Sequence, residues 1–287
     1  MEDPAASLRC CALLLLTCLT GLEAAGPPGD GGGWSLKSEL RLQDEGLCNI
    51  DVLDASALSH RQFLERYAFN RPVILRGLTD NTGTHSLLTH SYRKGTHSSL
   101  THSYRKGTHS SLTHSYRKGT HSSLTHSYRK VDVPLQEYVD VWLRPQSADV
   151  LGSDTLYFFG DNNVTEWQSL FQQYESPPYV LPRTSGALSF GIAGPGSGVP
   201  FHWHGPGFSE VIYGRKRWFL YPPHQEPHFH PNRTTLSWVT ETYPQLPEAE
   251  APLECTISPG EVLYFPDRWW HATLNLETSV FISTFLG

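Results

Sequence analysis

His202 and His204 stand two residues apart in the stretch Gly196–Lys216, GSGVPFHWHGPGFSEVIYGRK. If Val199–His204 is a β-strand, residues i and i+2 share a face and the two imidazoles converge on one point. A third imidazole is offered by Gly260–Asn275, GEVLYFPDRWWHATLN. There Glu261–Phe265 reads as a strand, Pro266-Asp267 as a turn, and Trp269–Leu276 as the strand returning beside the first and carrying His271. Neutral imidazole nitrogens suit iron, zinc, copper and nickel, so His202, His204 and His271 form a candidate transition-metal face. With 15 histidines in the chain, a single one beside aromatic residues reads as packed or surface-exposed. It is the pairing of His-x-His with the second block that makes a site.

The spacing of the two blocks resembles the cupin signature. Gly196 is followed after five residues by His202-Trp203-His204, then by Glu210 and Gly214; Gly260 is followed after five residues by Pro266, then by His271 and, three residues further, Asn275. Two positions depart from it. Glu210 is separated from His204 by five residues where three or four are usual, and Arg268 stands where the pattern has Gly. Together with the phrase GRKRWFLYPP, the same residues are still more similar to the JmjC family, the protein-modifying branch of the double-stranded β-helix oxygenases that use Fe(II) and 2-oxoglutarate. The resemblance covers about residues 47–83 and 131–287.

It implies a mainly β fold with flanking helices, a jelly-roll double-stranded β-helix whose barrel core spans about residues 181–287. It also implies metal ligation at His202 and His271, and a lysine, Lys216, that pairs with the far carboxylate of 2-oxoglutarate. Alternation about the turn at Gly214 agrees if Lys216 and Trp218 face the barrel and Arg215 and Arg217 face away. The family's second metal ligand is a carboxylate, and here that position holds His204. Imidazole in place of an anion leaves one more unit of positive charge at the metal. Three histidines are also the protein ligands of carbonic anhydrase zinc, so zinc is the alternative to iron. Glu210 is the reserve carboxylate, should a bulge at Gly205-Pro206-Gly207 turn it inward. Val199 stands where many relatives place a hydroxyl beside the keto acid.

Several elements must position these groups. Ser59-His60-Arg61-Gln62 is a capping box, with Phe63, Leu64, Tyr67 and Ala68 behind it on neighbouring helical faces. Pro72 ends that helix and opens a strand, Val73–Arg76. A second helix is expected from Val133-Pro134, with Leu135, Tyr138, Val139 and Trp142 at helical spacing, and a third carries Trp167, Leu170, Phe171 and Tyr174. Short strands follow at Leu188–Ala193, Val199–His204, Val211–Tyr213, Trp218–Tyr221 and Val280–Phe285. Helices first and strands afterwards suit a single helix-flanked β domain over residues 47–287.

Residues 10–20, CCALLLLTCLT, followed by Ala24-Ala25, have the length of a signal-peptide core and are too short for a membrane span. Residues 1–25 are therefore expected to be cleaved and 26–46 to form a Gly/Pro-rich flexible leader. Cleavage removes three of the five cysteines and leaves Cys48 and Cys255, an even pair that invites one disulfide in an oxidising compartment. The sequons at Asn163 and Asn232 can take glycans only in the secretory pathway. The expected location is the lumen of the endoplasmic reticulum.

Residues 84–130 stand apart, a twelve-residue repeat, THSYRKGTHSSL, with eight His, eight Arg or Lys and no acid. The formal net charge of −6 includes those eight cations, so the remainder stands at −14. With about one Leu per repeat the tract cannot bury a stacked core, and it is expected to be disordered. Outside it nothing supports nucleic-acid binding. Two functions fit: a lumenal Fe(II)/2-oxoglutarate-dependent protein hydroxylase, or an inactive JmjC-fold module that regulates or scaffolds a protein partner.

Overall fold

The computed structural model describes residues 42, 44–81, 110–115, 129–133, 138–145, 155–159, 164–231 and 233–287. The segment 1–25, most of the leader, Asn163, Asn232 and the rest of the repeat lie outside the described residues. The chain runs β1 (Asp51–Asp54), α1 (His60–Arg66), β2 (Val73–Arg76), β3 (Ser110–Ser115), β4 (Arg129–Val133), β5 (Thr155–Phe159), α2 (Val164–Phe171), β6 (Gly186–Ala193), β7 (Gly207–Tyr213), β8 (Lys216–Tyr221), β9 (Leu253–Ile257), β10 (Glu261–Phe265), β11 (Trp270–Asn275) and β12 (Ser279–Leu286). Among the described residues no helix is long and apolar enough to cross a membrane.

Two sheets form the jelly roll. The larger has the order β1-β2-β10-β7-β12-β6-β5-β3-β4, and the smaller β11-β8-β9. β7, β8, β11 and nearly all of β12 are buried along their whole length, because one face fills the barrel and the other is covered by helices and loops. Inside, Trp218 and Leu220 of β8 pack with Val211 of β7 and Leu263 of β10. On the outer face of the small sheet Phe219, Tyr221, Ala272 and Leu274 pack under Trp238. On the outside of the large sheet Phe63 of α1 packs with Phe208 and Tyr264, and Trp167 of α2 with Phe158 and Phe190. The capping box at Ser59 is formed as the sequence indicates: Ser59 Oγ accepts from Gln62 N–H, and Gln62 reaches back to Ser59 N–H.

Four expectations are corrected. Val199–His204 is not a regular strand; it is an extended segment whose only bridge is His202 with His271, because Pro200 has no N–H to give to a ladder. Trp269–Leu276 does not return beside β10. β10 pairs with β2 and β7, whereas β11 pairs with β8, so the chain crosses from one sheet to the other over Pro266–Trp269. Val133 closes β4, and the expected second helix survives among the described residues as one π-turn, Tyr138–Trp142, with Tyr138 buried against Phe158. α2 ends at Phe171; Tyr174 lies beyond it yet stays in the same core. Within the repeat tract Ser110–Ser115 forms β3 and Arg129-Lys130 open β4, and β3 pairs with β4 on one side and with β5 on the other.

The leader's last residues are docked, not free. Arg217 faces away from the barrel as alternation requires, but it is buried: Nε and Nη2 donate to Glu254 Oε2, and Nη1 donates to Asp44 O at 3.4 Å. Gly46, at φ +68°, passes so close to that guanidinium that any side chain there would overlap it. Asn49 N–H donates to Glu254 O and its side chain accepts from Glu254 N–H, so the strap lies along β9. Cys48 and Cys255 form a disulfide across a sequence separation of 207, closing the strap onto the strand beside Trp218. A loop of that length gives a chain-entropy ceiling of about 5 kcal/mol. The Cys48→Ser/Cys255→Ser variant is expected to melt well below the wild type, and the wild type with dithiothreitol to fall to the same temperature. Equal melting of oxidised wild type and variant would refute the bond's role.

Candidate metal centre

The three histidines meet although only one of them lies in a strand. His202 N–H donates to His271 O at 3.1 Å and His271 N–H to His202 O at 2.8 Å, so the two residues face each other across a closed pair of backbone bonds. Thr273 N–H bonds Val199 O and Asn275 N–H bonds Ser197 O, which carries the pairing along β11 with one extra residue accommodated around Pro200. His204 is held by its carbonyl, which accepts from Arg268 N–H at 2.9 Å. Arg268 adopts φ +60°, the left-handed conformation for which the signature's Gly is suited. Its guanidinium lies over the Trp203 ring, 5.4 Å from the centroid, a contact that offsets part of the roughly 1–2 kcal/mol such a backbone costs.

Each imidazole is fixed by its Nδ1. His202 Nδ1 lies 2.8 Å from Pro200 O, His204 Nδ1 2.8 Å from Gly205 O, and His271 Nδ1 2.8 Å from Trp269 O. A carbonyl only accepts, so Nδ1–H is the donor in all three rings and the lone pair is left on Nε2. The metal-binding atoms all lie within 4.8 Å of one another. His204 Nε2 and His271 Nε2 are 3.1 Å apart. Two lone pairs at that distance repel unless a cation sits between them, and backbone-oriented imidazoles are what a metal ligand set requires. If each nitrogen is about 2.1 Å from a shared ion, they subtend about 95° there, close to an octahedral edge and short of the tetrahedral angle. That pair of nitrogens therefore suits an octahedral edge better than a tetrahedral one.

The environment favours the neutral form of two of the rings. Burial lowers the His204 pKa, and burial with the neighbouring His202 and His204 lowers that of His271 well below the usual range. Phe265 stacks on His271 at 5.1 Å, Phe285 sits edge-on to His204 at 5.1 Å, and Trp218 lies 5.8 Å from His271. These rings exclude water from one side of the triad.

Lys216 points into the same barrel and is almost completely buried. Nζ donates to Tyr157 Oη at 2.5 Å and lies over the rings of Phe281, Tyr157 and Trp218. No carboxylate pairs with it among the described residues, and burial lowers its pKa well below the ordinary lysine value. Thr273, two residues beyond His271 on the same face, bonds the Tyr157 hydroxyl and accepts from Val199 N–H. The hydroxyl missing at Val199 is thus supplied from the facing strand. Tyr157, Thr273 and Phe281 were not apparent as site residues, since each reads as an ordinary strand position.

Glu210 is not a ligand, and its reserve role is withdrawn. β7 runs regularly through it, so it points outward with Phe208 and Ile212, away from the metal face. It accepts from Thr79 Oγ1 at 2.7 Å and Asn81 Nδ2 at 3.0 Å, and burial raises its pKa.

Three measurements check the centre. His271→Ala and His204→Ala should each sharply reduce bound metal in a folded protein. The Co(II)-loaded wild type should show the weak visible absorption of a five- or six-coordinate ion; an intense tetrahedral band would contradict the angle. Because the lowered pKa values of His204 and His271 keep their Nε2 atoms unprotonated, metal should be retained as pH falls through about 6.5, where an ordinary histidine is half protonated, and be released only at lower pH.

The cupin-like domain family matches residues 60–285. JmjC domain-containing protein 8 of Homo sapiens is 54% identical over 276 residues, 95% of this chain and 98% of that protein. The 2-oxoglutarate and iron-dependent oxygenase JMJD4 of Danio rerio is 37% identical over 172 residues, 53% of this chain and 41% of that protein. Among solved structures, ycfD of Escherichia coli matches 80% of this chain at 21% identity and a TM-score of 0.48, with the match spanning 53% of the ycfD chain.

Proposed function

Since the chain belongs to the JmjC branch of the cupin-like domain family, we propose that it is an iron- and 2-oxoglutarate-dependent oxygenase acting on a protein side chain. One observation carries this reading: three preoriented Nε2 atoms share a barrel with a buried Lys216 that no carboxylate pairs with among the described residues. His202, His204 and His271 would hold Fe(II), and Lys216 with Tyr157 would receive the far carboxylate of the keto acid. Iron, when bound, supplies activation of O₂. His204 brings no charge, so an iron held by the triad would keep its full positive charge in the same barrel as Lys216, which favours a dianionic cofactor. The rings of Phe265, Phe285 and Trp218 keep competing water from the imidazoles.

The iron-loaded chain is expected to bind 2-oxoglutarate and to convert it to succinate at a low rate. Lys216→Met should lose binding. His204→Asp restores a carboxylate, lowers the charge at the metal by one and should raise turnover. An iron-loaded, folded protein that neither binds nor consumes 2-oxoglutarate would end this reading. The absence of an anionic ligand favours a second one, a JmjC-fold module that holds its metal structurally and binds a protein partner. Zinc retained with no affinity for 2-oxoglutarate would support that alternative.

The same chain is proposed to reside in the lumen of the endoplasmic reticulum, cleaved near residue 25 and glycosylated at Asn163, Asn232 or both. The Cys48–Cys255 bond supports an oxidising compartment. Thr234 of the second sequon is buried, and its Oγ1 accepts from Ser237 N–H as a helix cap, so the glycan must be added before this turn folds. Peptide-N-glycosidase should lower the mass of the secretory-expressed protein, and Asn163→Gln/Asn232→Gln should abolish the shift. No shift in the wild type would count against lumenal residence.

A further inference from the structure

The inner face of β12 carries Phe281, a fully buried residue whose ring centroid lies 3.3 Å from Lys216 Nζ. The other two rings around that ammonium, Tyr157 and Trp218, are each 5.1 Å away. Three features put the Phe281 ring there. The pairing of β12 with β7 shifts register between Val280 and Phe281, and such an irregularity re-aims the side chain that follows. Phe281 pairs on its other side with Gly191 of β6, and a side chain at 191 would overlap the ring. Glycine inside a strand is otherwise unfavourable, so its place here is that of a seat for Phe281. Third, the ring's negative face offsets a buried cation that no carboxylate pairs with among the described residues.

An ammonium has three donors. One is given to the Tyr157 hydroxyl, and the Phe281 face covers the approach from β12. A carboxylate pairing with Nζ must compete with that ring. We propose that Phe281 gates the anion subsite: a dicarboxylate keto acid reaches Lys216 only when the ring leaves the ammonium, and Phe281 thereby sets the affinity for that acid. The inference rests on the oxygenase reading and adds to it the residue that limits cofactor entry.

The test is calorimetric titration of 2-oxoglutarate into the full mature chain loaded with redox-silent Mn(II). Phe281→Leu is the main variant, and Phe281→Met, similar in volume but longer and more adaptable while also lacking the π face, covers the case in which Leu impairs folding. Both should bind about tenfold more tightly than the wild type, the scale of a desolvated cation–π contact. Phe281→Leu/Lys216→Met should lose the gain. If the wild type binds, Lys216→Met does not, and the Phe281 variants bind no more tightly, the gate is wrong while the oxygenase reading stands. If the metal-loaded wild type and both Phe281 variants fail to bind, the two ideas fall together.

Discussion

The two backbone hydrogen bonds that His202 and His271 exchange are what the centre depends on. They join segments about seventy residues apart in sequence, and they fix both rings relative to one backbone frame. Because β11 also pairs with β8, the same strand sets His271 opposite Leu220 and Asn275 opposite Lys216. Metal face and lysine are therefore not independently placed. A slip of one residue in β11 would turn His271 and Thr273 out of the barrel together.

Once those groups are inside, charge dominates. The interior offers three imidazoles, an ammonium and several aromatic rings; among the described residues no carboxylate joins the triad as a ligand or pairs with the lysine, and the nearest charge effect of an acid on the triad is that of Asp267 on His204. Desolvation lowers the basicity of His204, His271 and Lys216 alike, and the proximity of the histidines to one another adds to this for His271. Outside the small sheet the opposite solution is used, since Arg217 is buried against Glu254 with Tyr243 also bonded to that carboxylate. The contrast between neighbouring positions 216 and 217 shows two ways of burying a cation: a permanent counter-ion at Arg217, which ties down the strap, and polar and π contacts at Lys216.

Much of this could be read from residue types. The His-x-His spacing and the later His271 pointed to a shared metal, alternation placed Lys216 and Trp218 together, and compartment chemistry paired Cys48 with Cys255. What failed was local: Val199–His204 looks like a strand, yet Pro200 interrupts its ladder, and the two histidines converge through loop geometry and backbone hydrogen bonds instead of a pleat. β10 and β11 look like a hairpin, but no pattern of apolar residues distinguishes a turn within a sheet from a crossing between sheets. Tyr157 and Phe281 become site residues only through tertiary pairing, β5 with β6 and β12 with β7, which periodicity does not encode. The leader reads as flexible because it is Gly-rich, but its last residues answer a buried Arg217 that alternation alone would have sent to solvent.

Glu210 shows why the charge of the centre is fixed by position 204 and not by local rearrangement. The carboxylate that the cupin signature supplies is still present on β7, but it lies on the outer face, where Thr79 and Asn81 hydrogen-bond it and Asn81 in turn ties down Glu175. Turning it inward requires a one-residue shift of β7, since the side-chain period of a strand is two. That shift would carry Phe208 and Ile212 out of the outer clusters they complete and would break the register with both β10 and β12. Burying even one such aromatic side chain is worth a few kcal/mol, more than a modest gain in metal coordination could return from a strand paired on both sides. The outward carboxylate is therefore held by the packing of the large sheet, and the imidazole of His204 remains the group that sets the charge at the metal.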